Sequence, residues 1–262
     1  MTTTETVRGG GFSGAVASEW TKLWSVRATW WCLSGGLLMM LLYSGVSGLS
    51  QRLDYNRPEA AHSMVAAGAI YLTEFFVIAV ATLFVTSEYA NGGIRSTLQW
   101  VPVRHHVPAA KAAVLAPALF AYGVVVALAG MGLSGLLMGS HGLPTSFGTG
   151  LLTAVGMGVF FALLGVLSMG IGFALRSAAG TIVTVMVLLL PLPMLLSSYV
   201  SAGMMNYFPA FSGLNAMTPP DTESPLFGGL PPYSMGVGML ISLLWAVAGL
   251  LAGTAVLRRR DA

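Results

Sequence analysis

Hydrophobic and polar residues fall into long separate blocks along this chain, without the alternation of a half-buried strand or the 3.6-residue period of a surface helix. Apolar blocks run over Ala28–Ser50, Met64–Thr86, Val114–Met138, Leu151–Leu175, Ala178–Val200 and Met235–Leu257. Each exceeds the ~20 residues a helix needs to cross bilayer hydrocarbon. Together they hold one charged side chain, Glu74, although the chain has twelve basic and nine acidic residues. A charge at a helix centre costs at least ~2.5–3.5 kcal/mol in the membrane, so insertion demands such a partition. Barrel strands would alternate over ~10 residues, and these runs are continuous. The pattern predicts an all-α integral membrane protein: six transmembrane helices over residues 28–262 in a single domain.

The stretch before the first block is patterned differently. Residues 1–11 are rich in Thr and Gly and are expected to be a disordered tail. Over 12–27, a 100° step per residue puts Val16, Trp20, Leu23 and Trp24 on one face, and Ser18, Thr21, Lys22 and Ser25 on the other. That pattern predicts an amphipathic helix in the membrane interface, entering the first span; the plain alternative is an aromatic belt. The first block starts only at Ala28 and is longer than a 7–15-residue signal-peptide core, so it is expected to remain in the mature protein.

Composition agrees with a lipid solvent. Charged residues make up 8 % of the chain against ~25 % in soluble domains, and hydrophobic ones 55 %. The single cysteine, Cys32, excludes an intrachain disulfide framework. A net charge of +3 rests on too few residues to point to nucleic acid. Where the charges sit says more. The N-terminal segment (Arg8, Lys22, Arg27), the second-to-third connection (Arg95, Arg104, Lys111), the turn at Arg176 and the end (Arg258, Arg259, Arg260) carry ten basic residues. The opposite connections carry only Arg52 and Arg57, offset by Asp54 and Glu59. The positive-inside rule therefore predicts that both termini are cytoplasmic.

The connections differ in kind. Arg176 and Ser177 leave room only for a tight hairpin between spans four and five. Pro191 and Pro193 remove two backbone donors in span five and predict a kink or unwound turn. Residues 201–234 hold six prolines, and a connection of that length is usually functional or partly folded. Gly135/Gly139 and Gly249/Gly253 have the spacing of close helix contacts, a common signal in membrane helices.

No Walker-type phosphate loop, HExxH pair or Gly-x-Ser-x-Gly elbow occurs, so the chain has no sequence signature of nucleotide hydrolysis or of these enzyme classes. His105 and His106 are adjacent, point ~100° apart on a helix and have no third ligand nearby, so they read as a solvated loop. Glu74 has two readings: a carboxylate facing a cavity for substrate or cation, or a neutral group near the outer interface. Between spans two and three, Asn91-Gly92-Gly93 stops a helix, and Ile94, Leu98 and Val101 then recur at i, i+4, i+7 until Pro102. A short amphipathic helix lying across the cytoplasmic mouth and an ordinary interfacial turn both fit this spacing.

Ser18-Glu19-Trp20-Thr21-Lys22-Leu23, Ser87-Glu88-Tyr89 followed by Gly92 and Ile94-Arg95-Ser96-Thr97-Leu98, six spans and a closing Leu257-Arg258-Arg259-Arg260-Asp261 together resemble the ABC transporter type-2 permease family of bacterial exporters. The stretch from Tyr207-Phe208-Pro209 to Pro219-Pro220 is similar to that family's outer loop between spans five and six. The resemblance implies that 12–27, with Trp20, Lys22, Leu23 and Trp24, is an interfacial connecting helix. It implies that Glu88, Gly92, Ile94, Arg95, Thr97 and Leu98 lie in or beside a coupling helix that docks on a separate ABC ATPase subunit. ATP and magnesium would be bound by that partner, with no cofactor, metal or catalytic site in this chain. The implied assembly is a pair of permeases, expected to be a homodimer in the bacterial cytoplasmic membrane, with the substrate path between them. Two rivals remain: an ion-coupled secondary carrier using Glu74, and a membrane partner of an ATPase that transports nothing.

Overall fold

The computed structural model describes residues 11–53, 59–90, 92, 106–201, 203–226 and 228–260, without the side chain of Arg260. Ile94, Arg95, Thr97 and Leu98, and residues 1–10 of the tail expected over 1–11, lie outside the described residues; Gly11 opens the first helix. The described chain is helical: α1 (Gly11–Ser25), α2 (Arg27–Leu53), α3 (Ala61–Gly68), α4 (Glu74–Ala90), α5 (His106–Met138), α6 (Phe147–Leu175), α7 (Ala178–Leu189), α8 (Pro191–Tyr199), α9 (Pro209–Met217) and α10 (Met235–Arg260). A π-helical turn, Ala69–Thr73, joins α3 to α4. Six stretches are long and apolar enough to cross a membrane: Arg27–Leu53, Ala61–Ala90, His106–His141, Phe147–Leu175, Ala178–Tyr199 and Met235–Arg259. The protein is an all-α, multi-pass membrane protein. The end carrying α1 and the close of α10 is the base of the bundle; the opposite end is its crown.

Spans two and four are mostly buried within the protein, and the other four keep one face outward. Span four sits centrally because small residues let neighbouring backbones approach. A Cβ on Gly123 of span three would lie 2.8 Å from the Cα of Gly158, so only glycine permits that crossing. Gly253 of α10 meets the backbone of Gly170 in the same way, a Cβ on Gly170 would run into the backbone of Gly249, and Gly249 itself faces Leu167, whereas Gly135 and Gly139 meet nothing. They line a mostly apolar crown cavity of about 580 Å³ between spans three and four, bordered by Met131, Thr145 and Phe147.

Local breaks follow local chemistry. Arg176 adopts a left-handed conformation (φ 57°), and the Ser177 hydroxyl caps α7 by accepting from the Gly180 amide at 3.2 Å, which closes the hairpin of spans four and five. Span five breaks at Leu190 (φ −121°, ψ −64°), immediately before Pro191. The long connection before α10 folds back into the bundle as α9. Every residue of α9 is buried, and Ser212 bonds Ser242 of span six at 2.9 Å.

Candidate functional site

The base is organised around four charged side chains from three elements. Glu19 comes from α1, Glu88 from the last turn of α4, Lys111 from the second turn of α5, and Lys22 from α1 one turn beyond Glu19. The Lys111 ammonium donates to Glu19 Oε2 at 2.6 Å, to Glu88 Oε1 at 2.8 Å and to the Phe84 carbonyl at 3.2 Å. Its three protons have three acceptors, and it also sits 4.2 Å from the centroid of the Phe84 ring. Lys22 donates to Glu19 Oε1 at 2.6 Å and to Glu88 Oε1 at 2.9 Å. Two carboxylates and two ammonium groups thus alternate, and the cluster is neutral. The Lys111 and Glu19 side chains are 1 % and 4 % exposed, so these charges are out of water and depend on one another.

Lys22 closes the cluster toward solvent. Burial works against its charge, but its hydrogen bonds to Glu19 and Glu88 and the attraction of both carboxylates outweigh that and hold its pKa above the ordinary lysine value. These are the only two lysines of the chain. A compact ammonium with three rotatable donors suits a junction of three helices better than a planar guanidinium.

The residues expected in the interfacial helix are distributed differently from the simple two-face reading. Leu23 is buried, and Trp24 is half-buried against the core. Trp20 is 51 % exposed and packs edge-on against Trp24 at 5.6 Å. Glu19 is buried beside Leu23, because Lys111 draws its carboxylate inward, and Lys22 turns into the cluster. Glu88, expected in or beside a partner contact, faces inward as well: its side chain is 12 % exposed and its Oε1 accepts from both lysines. Gly92 has φ +70° and open space around it, as suits a helix stop two residues after α4. Next to Glu88, the Tyr89 ring lies 5.2 Å from the Arg176 guanidinium, which links the hairpin of spans four and five to the same base.

Glu74 stands apart from this cluster. It opens α4 directly after the π-turn, where the Thr73 hydroxyl donates to the Gly68 carbonyl at 3.4 Å. It is fully buried, and neither carboxylate oxygen has a hydrogen-bond partner among the described residues. With span two running from Ala61 to Ala90, it lies near the middle of the span.

Sequence reasoning missed the ion cluster. One signal was available: Glu19 stands on the apolar stripe between Val16 and Leu23, where an acid needs a reason. A family model described as an ABC-2 family transporter protein matches residues 15–192, which covers the cluster, Glu74 and spans one to five up to the break. The comparison with curated proteins found no match.

Proposed function

The chain belongs to the ABC-2 family of transporter proteins, and from that premise we propose that it is the permease subunit of an ATP-driven exporter. Two permeases, taken as identical copies, enclose the substrate path. Each works on a separate ATPase subunit that holds ATP and magnesium. The base faces the cytoplasm of a bacterial cell, and residues 91–105 carry the coupling helix, with Ile94, Arg95, Thr97 and Leu98 meeting the ATPase. The three-part layout of tail, interfacial helix and spanning domain belongs to the same reading.

The observation that supports this reading is the position of the ion cluster. The end of α4 and the start of α5, which residues 91–105 join in sequence, are pinned to each other and to α1 through Glu88, Lys111 and Glu19. A push on that segment therefore moves spans two and three and the interfacial helix together. ATP binding closes the ATPase pair and favours one arrangement of the spans, provided that the contacts differ in energy between the two states.

The test is co-expression with the ATPase encoded beside this chain, capture of the complex in detergent, and reconstitution. Capture and ATP turnover are expected, and Arg95→Glu is expected to leave hydrolysis running while transport is lost. Full transport by Arg95→Glu would overturn the coupling assignment. A folded chain that captures no ATPase would overturn the permease reading itself.

A further inference from the structure

Span two and span five bring hydrogen-bond acceptors to one level of the bundle without donors to match. The register follows from a contact nearer the base, where Val85 of α4 and Thr181 of α7 both abut Gly172 of span four, 3.7 Å and 3.8 Å from where its Cβ would be. Eleven residues back along α4 from Val85 is Glu74, on the same face, because eleven steps of 100° return to within about 20°. Eleven residues back along span four is Phe161. Span five runs antiparallel, so the same rise of about 16 Å from Thr181 ends at Leu192, inside the break. Pro191 and Pro193 have no N–H, so the carbonyls of Val187 and Leu189 lose their helical donors there; Val187 itself is on the outward face, 45 % exposed. Leu189 is on the buried face of span five, which continues through Thr181, Val185 and Pro193. An unpartnered carboxylate and freed carbonyls thus lie within about one helical turn of the same depth.

We propose that Glu74 and the broken turn of span five form a recognition site for the primary ammonium head of an amphipathic amine, taken up when spans two and five part. An ammonium group brings the positive charge that Glu74 lacks and N–H donors for the freed carbonyls. The surroundings suit an apolar body: Val77, Ile78, Phe161 and Leu189 are fully buried, and Phe161 stacks on Tyr122 with centroids 6.2 Å apart. A metal ion is less well served, because among the described residues no three His, Cys, Asp or Glu gather to hold one. Broken helices whose freed carbonyls meet an ion near the bilayer midplane are a general device of membrane transporters. The inference names a cargo class for the proposed permease and rests on that reading only for the word cargo.

The experiment is calorimetric titration of the full chain in zwitterionic lipid nanodiscs, with empty nanodiscs subtracted. The probes are octylamine, octyltrimethylammonium, octanol and sodium chloride. Octylamine is expected to saturate, octanol to show no binding beyond partition, and octyltrimethylammonium to bind more weakly because it has no N–H. Glu74→Gln is expected to weaken octylamine binding about tenfold or more, the scale of one charge-assisted hydrogen bond. Glu74→Asp is expected to recover part of that loss. Replacing Pro191 and Pro193 by alanine, which returns donors to both carbonyls, is expected to weaken it too. Equal octylamine binding by Glu74→Gln, equal binding of octanol or octyltrimethylammonium by the unmodified chain, or displacement of octylamine by sodium would each overturn the proposal. If Glu74→Gln does not fold, the probe series on the unmodified chain decides alone. No ATPase enters this titration, so its failure leaves the permease reading standing, and failed ATPase capture leaves amine binding standing.

Discussion

Replacing Lys111 by methionine tests whether the base cluster is an electrostatic unit. Methionine keeps most of the apolar stem and removes the charge, together with the contacts at 2.6 Å, 2.8 Å and 3.2 Å to Glu19, Glu88 and the Phe84 carbonyl. Glu19 and Glu88, 4 % and 12 % exposed, then share Lys22 alone, and the neutral cluster becomes an anion. Removing one partner from a buried ion group typically costs about 3–5 kcal/mol, mostly as the desolvation of the charge left behind. The diagnostic outcome is the sign of a second change. Glu19→Gln alone should destabilise, because it leaves two ammonium groups on one carboxylate. In the Lys111→Met background it restores neutrality as a Lys22–Glu88 pair and should recover stability, with a coupling of about 2–3 kcal/mol. Denaturant titration of the full chain in mixed micelles, followed by the fluorescence of its six tryptophans, measures all four corners of the cycle. Additivity within about 0.5 kcal/mol would refute the unit, and with it the pinning of α1 to spans two and three.

Other expectations follow from single contacts. Gly170→Ala would drive a Cβ into the Gly249–Leu250 backbone and force spans four and six apart, so a loss of about 2–3 kcal/mol is expected, while Gly135→Ala, with open space around it, should be neutral or slightly stabilising; thermal melts in detergent compare them. Tyr122→Phe removes the 2.9 Å bond to the Leu33 carbonyl and should cost about 1 kcal/mol by the same melts. Lys22 is held above its ordinary value of 10.5, so the stability it contributes is complete below that pH and is lost as pH rises through its folded value. The melting-temperature gap between the unmodified chain and Lys22→Gln should therefore be flat from about pH 7 to 9.5 and narrow above about 10.5. A gap unchanged at pH 11.5 would contradict the raised value.

The spans could be read from the chain because lipid leaves few options: every buried backbone group must be paired within its helix, so crossings appear as unbroken apolar runs. Breaks were legible for an equally local reason, since a missing N–H at Pro191 and Pro193 acts where it stands. The ion cluster could not be read this way. Its partners are 66 residues apart for Lys22 and Glu88, and 92 for Lys111 and Glu19. Charges at span ends are ordinarily solvated, so apart from the place of Glu19 on an apolar stripe nothing local separates these four from Arg27 or Arg258. Placing Lys22 on a polar face was correct as periodicity and incomplete as chemistry, because a long stem carries its ammonium away from the direction of its Cβ. The fold of α9 was hidden by its proline. Pro209 reads as a loop residue, yet at the first helical position its missing donor costs nothing.

Span two connects the two polar features through one stretch of regular helix. Glu88 and Glu74 are fourteen residues apart on α4, about 21 Å, with no proline or glycine between them. Below Glu88 the helix is fixed to α1 and α5 by the cluster; above Glu74 the hydrogen-bond ladder loosens into the π-turn Ala69–Thr73. A rod held at its base and softened beyond its far end moves as one piece between those points. Displacement delivered at the base would therefore arrive undiminished at Glu74, while the crown, tied by His62 to Thr145 at 3.3 Å and by the bridge between Ala60 and Leu143, keeps its place. At the depth of Glu74, span five is itself divided at Leu190, so its crown half need not follow its base half. Two spans segmented at one depth can open at mid-membrane without unpacking either end. The unpartnered carboxylate is placed where that opening would first let a ligand in.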